Sequence, residues 1–267
     1  MKISQSSRTI IMKRKRRKYN RKFKNNFVNS SINSLPNELL SEIVARVASS
    51  SFLDYINVKI SCKIFNGVSN DPYVYRHISL EKFPIEGCSW KSENEENENK
   101  LSLFMRTCME YGNPEALYRK GVVDFFRKER SAYAMKYLVK AAEAGHIGAE
   151  YVISLIHILM GEEELKSNGV IAIGKMKATK TKRRALAKFR KNLVDILTNI
   201  WILNPIVFFG RKNSNRCSLH HKRSYKNKWR QWPSFDNDED DEDEELCCYG
   251  CSCDEEIAHL VNILPIW

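Results

Sequence analysis

The residues of this chain best suited to chemistry are thiols and imidazoles near its C-terminal end. Cys247, Cys248, Cys251 and Cys253 set four thiols close together, His259 follows, and Cys217 with His220 forms a second close pair upstream. Thiolate and imidazole are the donors that tetrahedral zinc takes, usually as two close pairs. Cys217, His220, Cys248 and Cys251 satisfy that arithmetic as a structural site. A metal-free remnant, in which the thiols form a reduced cluster, fits the same residues. The pairs are separated by the run 236–245, which holds nine Asp or Glu and no base, and the extra thiols leave the ligand choice open. Thiol catalysis is not expected, because no motif sets a base beside them. Nor does the chain show a Gly-rich phosphate loop, a triad order or a carboxylate pair, so no enzyme is expected, and no cofactor beyond the candidate zinc.

The cations are as unevenly placed as the acids. Net charge is +12 over 267 residues, and residues 1–37 hold eleven Lys or Arg and no acid. Lys13, Arg14, Lys15, Arg16, Arg17 and Lys18 run unbroken. Charges this dense repel one another, so 1–31 reads as a disordered basic arm, and its block as a nuclear import signal. A solvated tail without a receptor is the plain alternative. A transit peptide would spread its Arg along an amphipathic helix instead of clumping them. The expected location is the nucleus, with the cytoplasm also open.

A second basic stretch runs from Lys175 to Lys191, and further cations between Arg211 and Arg230 interleave with Tyr225 and Trp229. Such a pattern can bind single-stranded nucleic acid. A solvated face resting against the acidic run explains it more cheaply, so nucleic acid is not the expected partner.

No stretch reads as a membrane span. Leu193 to Phe209 is broken by Asp195, Asn199, Asn204 and Pro205 and reads as a buried core helix. No secretory signal follows the first charges, which puts the eight cysteines in a reducing compartment.

The elements that must position all this are helical. Leu35-Pro36 makes a sharp helix start, with Pro36 expected at the first helical position. Behind it Leu39, Leu40, Ile43, Val44 and Val47 fall at helical spacing. Cys62-Lys63-x-Phe65 and Asp71-Pro72-x-Val74-x-Arg76 follow. Three short helices of this size bury too little area to stand comfortably alone and call for a partner or a flanking domain. In order and spacing, residues 32–80 resemble the F-box. The resemblance implies docking to the Skp-type adaptor of an SCF ubiquitin ligase through Leu35, Pro36, Leu39, Leu40, Ile43, Val47, Cys62 and Phe65. It departs from the pattern at Ala48-Ser49-Ser50-Ser51, a long polar first turn.

Beyond a polar linker, 81–99, a new apolar stripe comprises Leu101, Phe104, Met105, Cys108 and Met109. Asn113-Pro114 then caps a helix through Phe126, and Ser131 opens another that stops at Gly145. The small residues Ala116, Gly121, Ala134 and Ala141 allow two antiparallel helices to approach closely. This hairpin resembles a Sel1-type repeat, a relative of the tetratricopeptide hairpin. Ala149-Glu150-Tyr151 echoes Ala116-Leu117-Tyr118 as a fragment of a second copy. Such repeats cannot bury their faces alone, so neighbouring helices at 101–111 and 166–203 are expected to cap them. They form either a peptide-holding groove or a plain helical core. His146 and His157 read as ordinary helix residues.

The expected chain is all-α: basic arm 1–31, F-box 32–80, linker 81–99, Sel1-like helical domain 100–205, and an irregular acidic, Cys-containing tail 206–267. It is similar to a plant group of F-box proteins that join an F-box, a Sel1-like hairpin and a Cys-bearing tail. Membership implies a substrate-recognition subunit that binds adaptor and cullin on one side and an unknown protein substrate on the other. The competing expectation is a nuclear nucleic-acid-binding or scaffold protein.

Overall fold

The computed structural model describes residues 32–83, 95–127, 131–210 and 248–263. Contacts divide the chain into two units, Met1–Leu35 and Pro36–Trp267. Of the first, a 3-10 turn at Ile32–Ser34 is described; the block Lys13 to Lys18 lies outside the described residues. The second is all helix among the described residues.

Helix α1, Asn37–Ser50, starts one residue later than the sequence suggested. Pro36 is the cap, with φ −55° and ψ 148°, and its carbonyl accepts from Leu39 and Leu40. A proline ring is as compatible with the half-helical cap as with the first turn, because neither needs its missing N–H. Helix α2, Phe52–Ser61, begins at Ser51, whose hydroxyl accepts from the Asp54 N–H. The expected third helix is two: α3, Lys63–Val68, and α4, Pro72–His77. The break falls at Asp71-Pro72. Asp71 is extended, as a residue before proline prefers, and its carboxylate caps α4 by accepting from the Tyr73 N–H at 2.8 Å.

Helix α5, Glu95–Glu110, leads to α6, Pro114–Arg127, and α7, Ser131–Glu143, an antiparallel hairpin as expected. Gly121 makes that hairpin possible, since a Cβ there would stand 2.7 Å from Leu138 Cγ. Gly145, at φ +88°, turns the chain out of α7 in the left-handed region that glycine enters freely. The second copy, only a fragment by sequence, is a complete hairpin of α8, Ile147–Met160, and α9, Glu163–Lys177. It closes even more tightly: a Cβ on Gly169 would lie 2.6 Å from the Ser154 carbonyl oxygen.

Helix α10, Lys180–Leu197, packs across both hairpins, and α11 is Pro205–Gly210. The continuous buried helix expected over Leu193–Phe209 is therefore interrupted. Asn204 leaves the helical path, donates its side-chain amide to the Phe125 carbonyl at 2.7 Å, and accepts from the Ile206 N–H. Proline at 205 favours that departure. The expected irregular tail also differs, because Tyr249–Ile263 forms a helix, α12. Cys253, Ile257 and Leu260 recur at helical spacing along it and are buried in the main core.

Two apolar clusters result. One runs through α6 to α12. The other joins Val44, Ala48, Tyr55 and Val74 of the first four helices to Met105, Cys108 and Ala116 of α5 and α6. Phe52, Phe83 and Phe104 tile its edge with ring centroids 5.2–5.5 Å apart. No helix among the described residues is long and apolar enough to cross a membrane.

Candidate docking face

The two faces of α1 are built from one heptad-like run. Leu40, Val44, Ala45 and Ala48 turn inward, and Leu40, counted from the sequence among the docking residues, is 2 % exposed and part of the core. Leu39, Ile43 and Val47, four residues apart, form a second apolar stripe on the other side. Leu39 is 52 % exposed and Ile43 41 %, while Val47 is half-buried. Helix α2 adds exposed Leu53 and Ile60. Cys62 is exposed at the start of α3, and Phe65 is half-buried against the second cluster. Leu35 is exposed and closes the first unit, its N–H donating to the Ile32 carbonyl.

Glu42, beside the stripe, joins α1 to α4: it accepts the Tyr73 hydroxyl at Oε2 and Arg46 Nε at 2.7 Å on Oε1. The Tyr73 hydrogen bond, followed by Arg46, holds the Glu42 carboxyl below the usual carboxylate range. Below them, Ser41 Oγ donates to Asp71 Oδ2 at 3.2 Å.

The first four helices are bolted to the repeat by polar side chains of α6 and its cap. Asn113 Oδ1 accepts from the Glu115 and Ala116 N–H groups, which caps α6 as the sequence indicated. Its Nδ2 reaches back to donate to the carbonyls of Tyr75 and Ile78 at 3.0 and 2.9 Å. Arg119 donates to the Phe83 and Leu80 carbonyls at 2.9 and 2.6 Å and pairs with Glu115 at 2.7 Å. His146, which the sequence suggests is an ordinary helix residue, instead caps α8 from outside the helix by accepting from the Ala149 N–H at Nδ1. Its Nε2 meets Glu115 at 2.8 Å and its ring stacks on Tyr118 at 4.5 Å. The one available signal was its place directly after the Gly145 stop. Burial pushes the Glu115 carboxyl up, but His146 and Arg119 together hold it below its ordinary value.

The basic stretch is not one solvated face. Arg190 and Lys177 turn inward onto Glu256, and Lys188 pairs with Glu81 at 2.9 Å. Of the candidate zinc ligands, Cys217 and His220 lie outside the described residues. Cys251 is buried in the first turn of α12, and its N–H donates to Cys248 Sγ at 3.4 Å. Among the described residues no three His, Cys, Asp or Glu gather around a metal-sized space.

Residues 82–198 match a family described as plant tetratrico peptide repeats. Several Arabidopsis thaliana proteins named as F-box proteins are similar to the chain. One is 32 % identical over 154 residues, which covers 57 % of this chain and 49 % of that protein. A second is 29 % identical over 120 residues, 45 % of this chain and 69 % of that protein. A third is 25 % identical over 103 residues, 39 % of this chain and 25 % of that protein. The chain thus spans about half the length of the first of these relatives. No solved structure is a significant match. These similarities bear out the resemblance to a plant F-box protein with a helical repeat region.

Proposed function

We propose that this chain, as a plant-type F-box protein with a helical repeat region, is a substrate-recognition subunit of an SCF-type ubiquitin ligase. The stripe Leu39–Ile43–Val47 docks the Skp-type adaptor, which links the chain to a cullin, and the repeat helices hold a target protein. The observation that carries this reading is the exposure of that stripe on a helix whose opposite face is fully packed. Burying one Leu or Ile side chain at an interface is worth about 1.5–3 kcal/mol, so two such residues can decide an affinity. The chain performs no bond-breaking itself. Holding a target beside the charged ubiquitin carrier raises its effective concentration, and the chemistry occurs on the carrier.

Leu39→Asp with Ile43→Asp tests the docking stripe. Both side chains stand in water in the free protein, so the thermal midpoint should change little while adaptor capture falls about 100-fold or more. Adaptor binding by the double variant at wild-type strength would refute the assignment. For location, we take the block Lys13 to Lys18 as a nuclear import signal. Neutralising it should move the protein to the cytoplasm, and undiminished nuclear accumulation would remove the block from that role.

A further inference from the structure

Helix α12 is held in place by chemistry that belongs to three other helices. Tyr151 of α8, Lys177 of α9 and Arg190 of α10 converge on the Glu256 carboxylate. The Tyr151 hydroxyl donates to Oε2 at 2.9 Å and Arg190 Nε to the same oxygen at 3.0 Å. Arg190 Nη2 and Lys177 Nζ take Oε1, the latter at 3.2 Å. Glu256 is 1 % exposed and Arg190 4 %. Burial alone would raise the Glu256 carboxyl; Arg190 and then Lys177 outweigh it and hold it below its ordinary value.

The rest of the groove is shaped to the same helix. Gly174 of α9 lies against the Tyr249 ring, and a Cβ there would come within 2.6 Å of it. On α12, Cys253 Sγ donates to the Val170 carbonyl at 3.6 Å, and Ile257 and Leu260 are buried in the main core. Helices α8, α9 and α10 follow one another through short connections, whereas residues 211–247 stand between α11 and α12. The groove therefore recognises α12 by its side chains, not by chain continuity. Three donors on three helices converge on one carboxylate position, so a helix that enters in place of α12 is read for an acid at that point.

We propose that α8, α9 and α10 form a helix-receiving groove with a carboxylate-reading socket, which α12 fills in the resting chain. The partner it fits is a protein that presents an amphipathic helix with one acid among small and aliphatic residues. The pattern is that of Cys253, Glu256, Ile257 and Leu260: a small residue, an acid three on, and aliphatics one and four beyond the acid. Such a helix binds by replacing α12, and its affinity is reduced by the fraction of time α12 occupies the groove. This deepens the reading that the repeat helices hold the target.

A labelled synthetic peptide of residues 249–263 is the probe, titrated in reducing buffer into the full chain. In the Glu256→Gln chain the resident helix loses its anchor while the socket keeps its donors. The peptide should bind this chain saturably and about tenfold or more tighter than it binds wild type, and a peptide carrying the same Glu256→Gln change should lose about tenfold or more. Absence of saturable binding, or equal binding by both peptides, overturns the proposal. So does loss of cooperative thermal unfolding in the Glu256→Gln chain, since α12 would then be an inseparable part of the core. Adaptor capture is read in parallel on the wild-type chain; its failure bears on α1 to α4, and the peptide result still decides this groove.

Discussion

Asn113 makes four hydrogen bonds from a buried position, two as the cap of α6 and two to carbonyls that end α4. Removing its amide uncaps a helix and leaves two inward carbonyls without a donor, so Asn113→Ala should cost about 2–4 kcal/mol in urea unfolding. A loss below about 0.5 kcal/mol would mean the joint is carried elsewhere. Half of this was legible beforehand. Asn-Pro announced the cap, because both the acceptor and the fixed φ of proline are local chemistry. The other half was not, because the amide's second pair of bonds joins segments more than thirty positions apart in the chain. His146 illustrates the same limit, as its partner Glu115 is equally remote in sequence. Among the residues expected to dock, helical spacing put Leu39, Leu40 and Ile43 on one apolar run but did not separate the inward Leu40 from the outward two.

At the level of elements, interhelical spacing depends on glycines with contrasting surroundings. Gly169 faces the Ser154 carbonyl across α8 and α9, and backbone there cannot swing aside, so Gly169→Ala should destabilise by about 1–3 kcal/mol. Gly67 in α3 meets nothing within 4 Å, so Gly67→Ala should gain about 0.4–1 kcal/mol from helix propensity and a less free unfolded chain. Thermal unfolding of the two variants should move in opposite directions, and a shared direction would refute the packing account. The first hairpin was readable because small residues and a Gly stop mark it. Helix α12 was not. Its thiols drew a metal-ligand reading, while the pattern of Cys253, Ile257 and Leu260 becomes a helix face only when thiols are counted as small apolar groups. The break before α11 was likewise visible as Asn204-Pro205 but was read as a blemish in a longer helix.

For the molecule as a whole, Glu115 and Glu256 contribute to the response to acid. Glu115 and Glu256 both have carboxyls held below the ordinary value of 4.5 in the folded chain. A lowered folded-state value means the unfolded chain takes up protons first. The stability these groups contribute is therefore complete above pH 4.5 and is lost as pH falls through their lower folded values. Thermal midpoints should be level from neutral pH to about 5 and then drop, and Glu256→Gln should flatten that drop. A drop of unchanged steepness in the variant would assign the acid response to other groups. The all-helical class was plain from periodicity. The way the first four helices share a core with α5 and α6 was not, because it gathers residues as distant in sequence as Val74 and Met105 into one cluster that no local pattern encodes.

The joint formed by Asn113 and Arg119 ties the first four helices and the Leu80–Phe83 segment to α6 by contacts between side chains and backbone that do not run along the connecting chain. The chain between Phe83 and Glu95 need not hold the two halves in register, since four backbone carbonyls already do so through two side chains. Severed there, the halves should reassociate as complementary fragments. An insertion at that point should lengthen the polypeptide without changing the bearing from the exposed stripe of α1 to the repeat helices.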